Sequence, residues 1–202
     1  HDYKTQKVIL IMPTWREWIA DEDSRLKQYE GTTDISKTNY FISWIDFIND
    51  IKIQEIAKKY QVKFIFFPHR NMQKYMKYFP ASNQYIEIAD AGTYGVQELM
   101  KMASMMVTDY SSVFFDMLYM KKPVCFYQFD YENFRKAQYG EGYFHYENNP
   151  FGKSHREKED VFKDIERIIC NNFKPSDEYL EAHEEYFRLY DTDNCKRVYD
   201  IL

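Results

Sequence analysis

The chain has 202 residues, which suits one domain of ordinary to large size and is too short for two full α/β domains. Apolar residues make up 45% of it and charged residues 29%, so a sizeable core can form and extensive disorder is excluded. The formal net charge of -5 argues against a protein whose main task is to bind nucleic acid, because neutralising phosphates requires an excess of Lys and Arg.

Five runs rich in apolar and β-branched residues predict strands that are buried on both faces, as in a parallel sheet. These runs are residues 7–12, 62–67, 85–88, 105–108 and 123–127. Helical patterns separate or follow them, at about residues 39–60, 71–79, 96–103, 113–120, 157–171, 177–190 and 194–202. The polar residues 17–38 are predicted to form a long loop, and residues 128–156 are rich in loops. The alternation predicts an α/β fold, a Rossmann-like doubly wound parallel sheet.

Topology alone predicts where a ligand binds. A doubly wound sheet binds ligands beyond the carboxyl ends of its strands, at the point where the strand order reverses. With the common strand order 3-2-1-4-5, the first and fourth strands are neighbours there, and the second lies beside the first. The loops after these three strands therefore converge, and they bring together Arg16, His69, Arg70, Ser111 and Ser112.

The segment after the fourth strand suits a phosphate. Ser111 or Ser112 would begin the helix that follows, and the first turn of a helix presents unpaired N–H groups and a partial positive charge. Ordinary capping by a serine explains the same residues without a ligand. The sequence has neither GxGxxG nor GxxxxGK[ST], so common dinucleotide and P-loop sites are excluded.

His69 follows a buried strand beside the predicted ligand site. It could act as a general acid or base or donate a hydrogen bond to a phosphate, and the alternative is a loop histidine without catalytic function. Asp109 and Asp116 are the nearest carboxylates, and local hydrogen bonding is the favoured interpretation for both. The five histidines provide no set with ligand spacing, so no metal is predicted. The three cysteines include no CxxC pair and are expected to be free thiols.

Several motifs follow one another in a recognisable order: Pro13–Arg16, Pro68–His69, Thr108–Asp116, Lys122–Asp130, then Tyr143–Phe144 and Phe151–Gly152. With them the chain resembles the CDP-glycerol glycerophosphotransferase family, the teichoic-acid primases and polymerases of Gram-positive cell walls, from about residue 7 to residue 198. The resemblance implies a GT-B architecture, in which two Rossmann-like domains face each other across a cleft. Residues 1–202 would form one domain, the carboxy-terminal donor-binding half, and the amino-terminal acceptor domain would belong to the rest of a parent protein.

The resemblance also implies a reaction, the transfer of glycerol phosphate from CDP-glycerol to a lipid-linked teichoic-acid acceptor without a cofactor. His69 would be catalytic, and Arg16, Ser111 and Ser112 would hold the pyrophosphate. The other positions of the matched motifs that we expect to contact the substrate are Thr14, Arg70, Thr108, Asp109 and Asp116. The isolated domain is expected to be inactive. No apolar run approaches ~18 residues, so we expect a cytoplasmic chain whose parent protein is peripheral at the inner face of the cell membrane.

Two departures from the family pattern leave the donor open. Arg70 follows His69 where many relatives have proline, and His145 stands where an acidic residue is common. A CDP-ribitol or nucleotide-sugar donor could share such a site, as in a GT-B glycosyltransferase or epimerase half. A non-catalytic α/β module is the third hypothesis, and it would bind no nucleotide.

Overall fold

The computed structural model describes residues 6–20, 25–81, 83–140 and 142–201. The strands within these residues are β1 (Lys7–Ile11), β2 (Val62–Phe66), β3 (Ile86–Ile88), β4 (Ala103–Thr108), β5 (Val124–Tyr127) and β6 (Ser154–His155). They form one sheet in the order β3-β2-β1-β4-β5-β6, and each neighbouring pair is parallel. The α/β class and the order of the first five strands are confirmed. β6 was not predicted, because a strand of two residues has no periodicity.

Ten α-helices lie among the described residues: α1 (Glu17–Ala20), α2 (Arg25–Glu30), α3 (Asn39–Asn49), α4 (Ile51–Tyr60), α5 (Val96–Met102), α6 (Phe114–Tyr119), α7 (Tyr131–Ala137), α8 (Lys158–Cys170), α9 (Asp177–Tyr186) and α10 (Asn194–Ile201). Two 3-10 helices cover Ile35–Lys37 and Arg70–Tyr78. The helix predicted over residues 39–60 is divided at Asp50, which has an extended backbone. Its carboxylate accepts a hydrogen bond from the backbone N–H of Lys52 and so caps α4.

The prediction of a long loop over residues 17–38 is wrong for the part of it that the structure describes. This stretch contains α1, α2 and a 3-10 helix, while residues 21–24 lie outside the described residues. Trp18, Ile19 and Leu26 are buried, and the indole N–H of Trp18 donates to Glu30 at 2.9 Å. Two short helices bury these few apolar side chains, which were too sparse to show a period among polar neighbours.

Side chains alternate between two hydrophobic layers on the two faces of the sheet. Ile9 and Ile11 of β1 point into the layer formed with α3, α4 and α8, where the rings of Phe47 and Phe162 stack at 4.7 Å. Val8 and Leu10 point into the other layer, formed with α5, α6 and α9. The central strands are therefore covered on both sides, which explains their continuous apolar runs.

The edge of the sheet depends on one glycine. A Cβ atom at Gly152 would collide with the carbonyl oxygen of Val124, so only glycine lets the chain approach β5 this closely before β6 begins. Among the described residues no helix has both the length and the apolar character needed to cross a membrane.

Candidate functional site

A cavity of about 410 Å³ lies beyond the carboxyl ends of β1, β2 and β4, where the order of the strands reverses. The loop after β1 contributes Thr14 and Trp15, the loop after β2 contributes His69, and the loop after β4 contributes residues 110–112. Residues of α6, of α7 and of the segment that follows α7 complete the lining, and we call all of the lining residues the cavity wall. The loops after β1, β2 and β4 therefore converge, as the topology predicted.

Arg16 belongs to a separate buried ion cluster, which consists of the side chains of Arg16, Asp109 and Asp130. The Arg16 Nε donates to Asp130 at 2.7 Å, and Nη2 donates to Asp130 and to Asp109, both at 3.0 Å. The Nη1 group donates to the backbone carbonyl of Thr14 at 3.0 Å. Arg16 and Asp109 are fully buried and Asp130 is 7% exposed, so the cluster ties together the loops after β1, β4 and β5.

This arrangement places Arg16 outside the cavity wall, contrary to the expectation that it holds a pyrophosphate. All three of its nitrogen atoms already donate within the protein. Burial opposes the charged form, but the carboxylates of Asp130 and Asp109 outweigh it and raise the pKa of Arg16. Arg16 therefore holds the loops in place. The sequence concealed this role, because Asp130 lies 114 residues further along the chain.

Asp109 also has a structural role, in agreement with the prediction that it makes local hydrogen bonds. Its Oδ1 atom accepts hydrogen bonds from the backbone N–H groups of Thr14 and Tyr110, both at 2.7 Å. Burial raises the pKa of Asp109, while Arg16 and these hydrogen bonds oppose the rise. Thr108 is likewise buried, and its hydroxyl donates to the carbonyl of Met12 at 2.7 Å. Neither side chain lines the cavity.

His69 lies on the cavity wall and stacks on Trp15, with ring centroids 5.9 Å apart and an interplanar angle of 18°. Its Nδ1 atom accepts a hydrogen bond from the backbone N–H of Asn71 at 3.2 Å and caps the 3-10 helix. In the neutral ring the proton therefore sits on Nε2. Partial burial and then the charge of Arg70 lower the pKa of His69.

The serine pair lines the cavity but does not cap a helix. Ser111 is 7% exposed and Ser112 is exposed, while α6 begins only at Phe114, with Val113 as its N-cap. A helical turn precedes α6, since the N–H of Phe114 donates to the carbonyl of Ser111. The serines therefore enter the cavity from a turn, and the predicted helix start at either serine is wrong.

Two other predicted site residues lie outside the cavity. Arg70 is exposed on the first turn of its 3-10 helix, beside His69, and it acts on the site through its charge. Asp116 is exposed on the surface of α6. Of the sequence-predicted site residues, the structure brings Thr14, His69, Ser111 and Ser112 together.

The sequence analysis missed Arg135, a cation on the cavity wall. Its Nη1 group donates to the carbonyl of Gly140 at 2.7 Å, and its guanidinium lies 5.5 Å from the ring of Tyr146. Among the described residues, its buried Nε atom has no hydrogen-bond partner, and the same holds for the buried hydroxyl of Thr14. A basic residue in the last turn of a short helix after Asp130 could have indicated an anion-binding group. The sequence around it was instead predicted to be rich in loops.

Together these groups can bind an anion. The wall offers the hydroxyls of Thr14, Ser111 and Ser112, the Nε2–H of His69 and the guanidinium of Arg135. Hydroxyls and a fork of N–H donors match the oxygen atoms of phosphates. Exposed rings at the mouth, Tyr139 and Tyr143, add apolar surface for a flat group.

A larger cavity of about 860 Å³ adjoins this one at Tyr143 and Phe144 and extends along α9 towards Asn194. His145 lines it, together with the motif residues Tyr143, Phe144 and Phe151, but none of the predicted site residues does, and it lies away from the carboxyl ends of β1 and β2. Its position makes it a useful comparison for the ligand experiments below.

Comparison with known proteins gives the arrangement a context. The sequence model of one family, CDP-Glycerol:Poly(glycerophosphate) glycerophosphotransferase, matches residues 3–202. The minor teichoic acid biosynthesis protein GgaB of Bacillus subtilis is 30% identical over 200 residues, which cover 98% of this chain and 21% of GgaB. A teichoic acid poly(glycerol phosphate) polymerase of Bacillus spizizenii is 24% identical over 203 residues, or 98% of this chain and 45% of the polymerase. The chain thus spans less than half the length of these relatives.

Solved structures agree on the fold. The wall teichoic acid polymerase TagF superposes with a TM-score of 0.58 at 22% identity, and the match covers 97% of this chain and 43% of TagF. A variant of TagF soaked with CDPG gives a TM-score of 0.56 at 21% identity. The α/β sheet described above is therefore shared with a part of that polymerase.

Proposed function

The chain belongs to the CDP-glycerol:poly(glycerophosphate) glycerophosphotransferase family, and on that premise we propose that it is the donor-binding part of a larger transferase. Its cavity binds CDP-glycerol, and the parent protein transfers glycerol phosphate to a growing teichoic-acid chain. Residues 1–202 form the donor-binding domain, while an amino-terminal domain of the parent protein binds the acceptor.

One observation carries the proposal: the phosphate-binding groups of three loops meet in one cavity at the reversal of the strand order. With the guanidinium of Arg135, the hydroxyls of the serine pair and the ring of His69 provide several donors on one wall. A diphosphate provides acceptors for them close together.

The proposed reaction breaks the bond between the bridging oxygen and the phosphorus that bears glycerol. An acceptor hydroxyl attacks that phosphorus, CMP leaves, and negative charge grows on the oxygen atoms of both phosphates. Ser111, Ser112 and Arg135 hold these oxygens, so catalysis depends on their positions and on electrostatic stabilisation. The proton of the attacking hydroxyl passes to a base of the acceptor domain.

His69 serves the leaving group. Its Nδ1 atom is engaged by the backbone of Asn71, so Nε2 carries the ring proton and can donate it in a hydrogen bond to the leaving phosphate. Burial and Arg70 lower the pKa of His69, which favours this neutral donor at neutral pH. The phosphates of bound CDP-glycerol would raise the pKa of His69, because a nearby anion favours the imidazolium.

We place the parent protein at the inner face of the cell membrane, since its acceptor is a lipid-linked polymer. The names of the relatives support this placement, because they are teichoic acid polymerases and biosynthesis proteins.

Titration calorimetry with CDP-glycerol, CDP, CMP and a UDP-sugar tests the proposal. We expect CDP-glycerol to bind most tightly, CDP and CMP to follow, and the UDP-sugar to bind at least ~10-fold more weakly, since a nucleotide site distinguishes hydrogen-bonding edges. Tighter binding of the UDP-sugar would favour a nucleotide-sugar enzyme. Binding of none of the four would favour a non-catalytic module.

A further inference from the structure

A second cluster of chemically active side chains lies on the α8 side of the sheet, apart from the cavity wall. Cys125 belongs to β5, His155 ends β6, and Asp164 faces them from α8. Tyr127 of β5 pairs with His155, and side chains two residues apart share a face, so Cys125 and His155 point to the same layer. One ligand atom from each of the three residues lies within 4.8 Å of the other two.

Two buried atoms of this cluster face each other without forming a well-aligned hydrogen bond. Oδ2 of Asp164 and Nε2 of His155 are buried, and neither has a hydrogen-bond partner among the described residues. The side chain of Asp164 is 3% exposed, and its other oxygen, Oδ1, accepts from Nε of Arg167 at 2.7 Å. Oδ2 therefore points into the cluster, where it faces Nε2 of His155 and the thiol of Cys125, and a ligand bound between these groups would satisfy both buried atoms.

The spacing of these atoms suits a metal. Oδ2 of Asp164 and Nε2 of His155 are 3.4 Å apart. Two ligands of one tetrahedral zinc ion, each about 2.0–2.1 Å from the metal, stand about 3.4 Å from each other. A shallow cavity of about 200 Å³ opens onto the cluster and provides an entry path, and its lining consists of Lys153, His155, Asp160, Lys163, Asp164 and Arg167.

The donor set selects among metals. A thiolate, an imidazole and a carboxylate together are typical zinc ligands, whereas magnesium and calcium prefer oxygen alone. We propose that Cys125, His155 and Asp164 bind one zinc ion, with water in the fourth position. The two negative ligands offset the charge of the ion, and Arg167 remains on the outer oxygen of Asp164.

The position of the site indicates a structural role. β6 has only two residues and forms the edge of the sheet, where few hydrogen bonds hold it. A metal bridging β5, β6 and α8 fixes this edge, and the segment leading into β6 contributes residues to the wall of the donor cavity.

Cobalt(II) substitution tests the site, because a thiolate ligand gives a charge-transfer absorption that carboxylates and imidazoles do not. The experiment uses the chain with Cys170→Ser and Cys195→Ser, since those two thiols are exposed and would bind metal on their own. We expect one equivalent of cobalt, the thiolate band, and displacement of cobalt by one equivalent of zinc. The melting temperature should rise on addition of zinc, since the ion binds only the folded chain.

Single variants assign the ligands. Cys125→Ser should remove the band, and Asp164→Asn and His155→Asn should each weaken zinc binding by ~10-fold or more. Circular dichroism checks that each variant folds, and the two Asn variants decide the matter if Cys125→Ser does not. Absence of the band in the Cys170→Ser, Cys195→Ser chain would overturn the proposal, and so would a band or zinc affinity that these variants leave unchanged. Donor binding is measured separately, so either proposal can fail alone.

Discussion

The buried ion cluster and the cavity wall are built from the same loops, yet they differ in how their polar groups are satisfied. Along the chain they alternate: Thr14 lines the cavity and Arg16 is buried, Asp109 is buried and Ser111 lines the cavity. The cluster has its hydrogen bonds satisfied by the protein, whereas the wall carries donors without partners. A single motif therefore contains residues that hold the loops and residues that are available to a ligand.

The difference explains why a motif cannot assign roles by itself. Charged side chains in a motif suggest ligand contacts, but a charge that is fully buried needs a partner of opposite sign from the protein itself. Arg16 has two carboxylates as partners, Asp109 and Asp130. In Arg135, by contrast, the Nε atom has no hydrogen-bond partner among the described residues. The two arginines thus offer a direct way to separate stability from binding.

The largest effect is expected from the ion cluster. Arg16→Met should lower the free energy of unfolding by ~3–5 kcal/mol, because it leaves Asp109 and Asp130 buried without their cation. Arg135→Met on the cavity wall is the matched control, and it should change the free energy of unfolding by less than ~1 kcal/mol while weakening donor binding. Denaturant titration of both variants measures the contrast. If the two variants lost the same stability, the ion cluster would not differ from the cavity wall in its contribution to folding.

The next effect concerns turnover. If the parent protein is the transferase proposed above, His69→Asn in the complete protein should lower kcat by ~100-fold, the usual range for a lost proton donor. Asparagine can still accept the hydrogen bond from the backbone of Asn71 as an N-cap, so folding should be preserved. Steady-state kinetics and a melting curve on the same variant are required. A lowered melting temperature with near-normal kcat would assign His69 to the structural region.

The serine pair should affect binding alone. Ser111→Ala with Ser112→Ala should weaken the binding of CDP-glycerol by ~1–3 kcal/mol, through the loss of two hydroxyl donors. Ser43→Ala on α3, which does not line the cavity, serves as the control and should bind like the wild type. Calorimetry that gives the double variant an unchanged affinity would remove the serines from the wall's proposed function.

The smallest effect is a pH dependence of stability. The pKa of His69 is lowered in the folded chain, so the unfolded chain binds the proton first as the pH falls through about 6.5. The free energy of unfolding should therefore decrease as the pH is lowered through this window. In His69→Asn this decrease should be smaller. Denaturant titrations at several pH values provide the slopes. A steeper fall in the variant would contradict the direction of the shift.

The sequence revealed the sheet because its strands are buried on both faces. The runs at residues 7–12 and 62–67 are continuous and apolar, and they correspond to β1 and β2 within one residue. In contrast, α7 buries only Phe134 among polar neighbours, and β6 has only two residues, so neither shows an apolar period. The missing apolar pattern of α7 also concealed Arg135.

The candidate site was predictable as a place and only partly as a set of residues. The reversal of strand order placed Thr14, His69 and the serines correctly on one cavity, because strand ends determine where loops meet. Whether a charged loop residue is buried depends on partners far along the chain, as Arg16 depends on Asp130. A local sequence pattern contains no information about such partners.

Hydrogen exchange with and without CDP-glycerol tests most directly the claim that the cavity wall binds the donor. We expect slower amide exchange on binding in residues 14–16, 69–71, 110–115, 134–140 and 142–146, the segments that line or adjoin the cavity. Residues 182–194, which line the larger adjoining cavity, should change little. Slower exchange confined to residues 182–194, or no change at saturating ligand, would contradict the account.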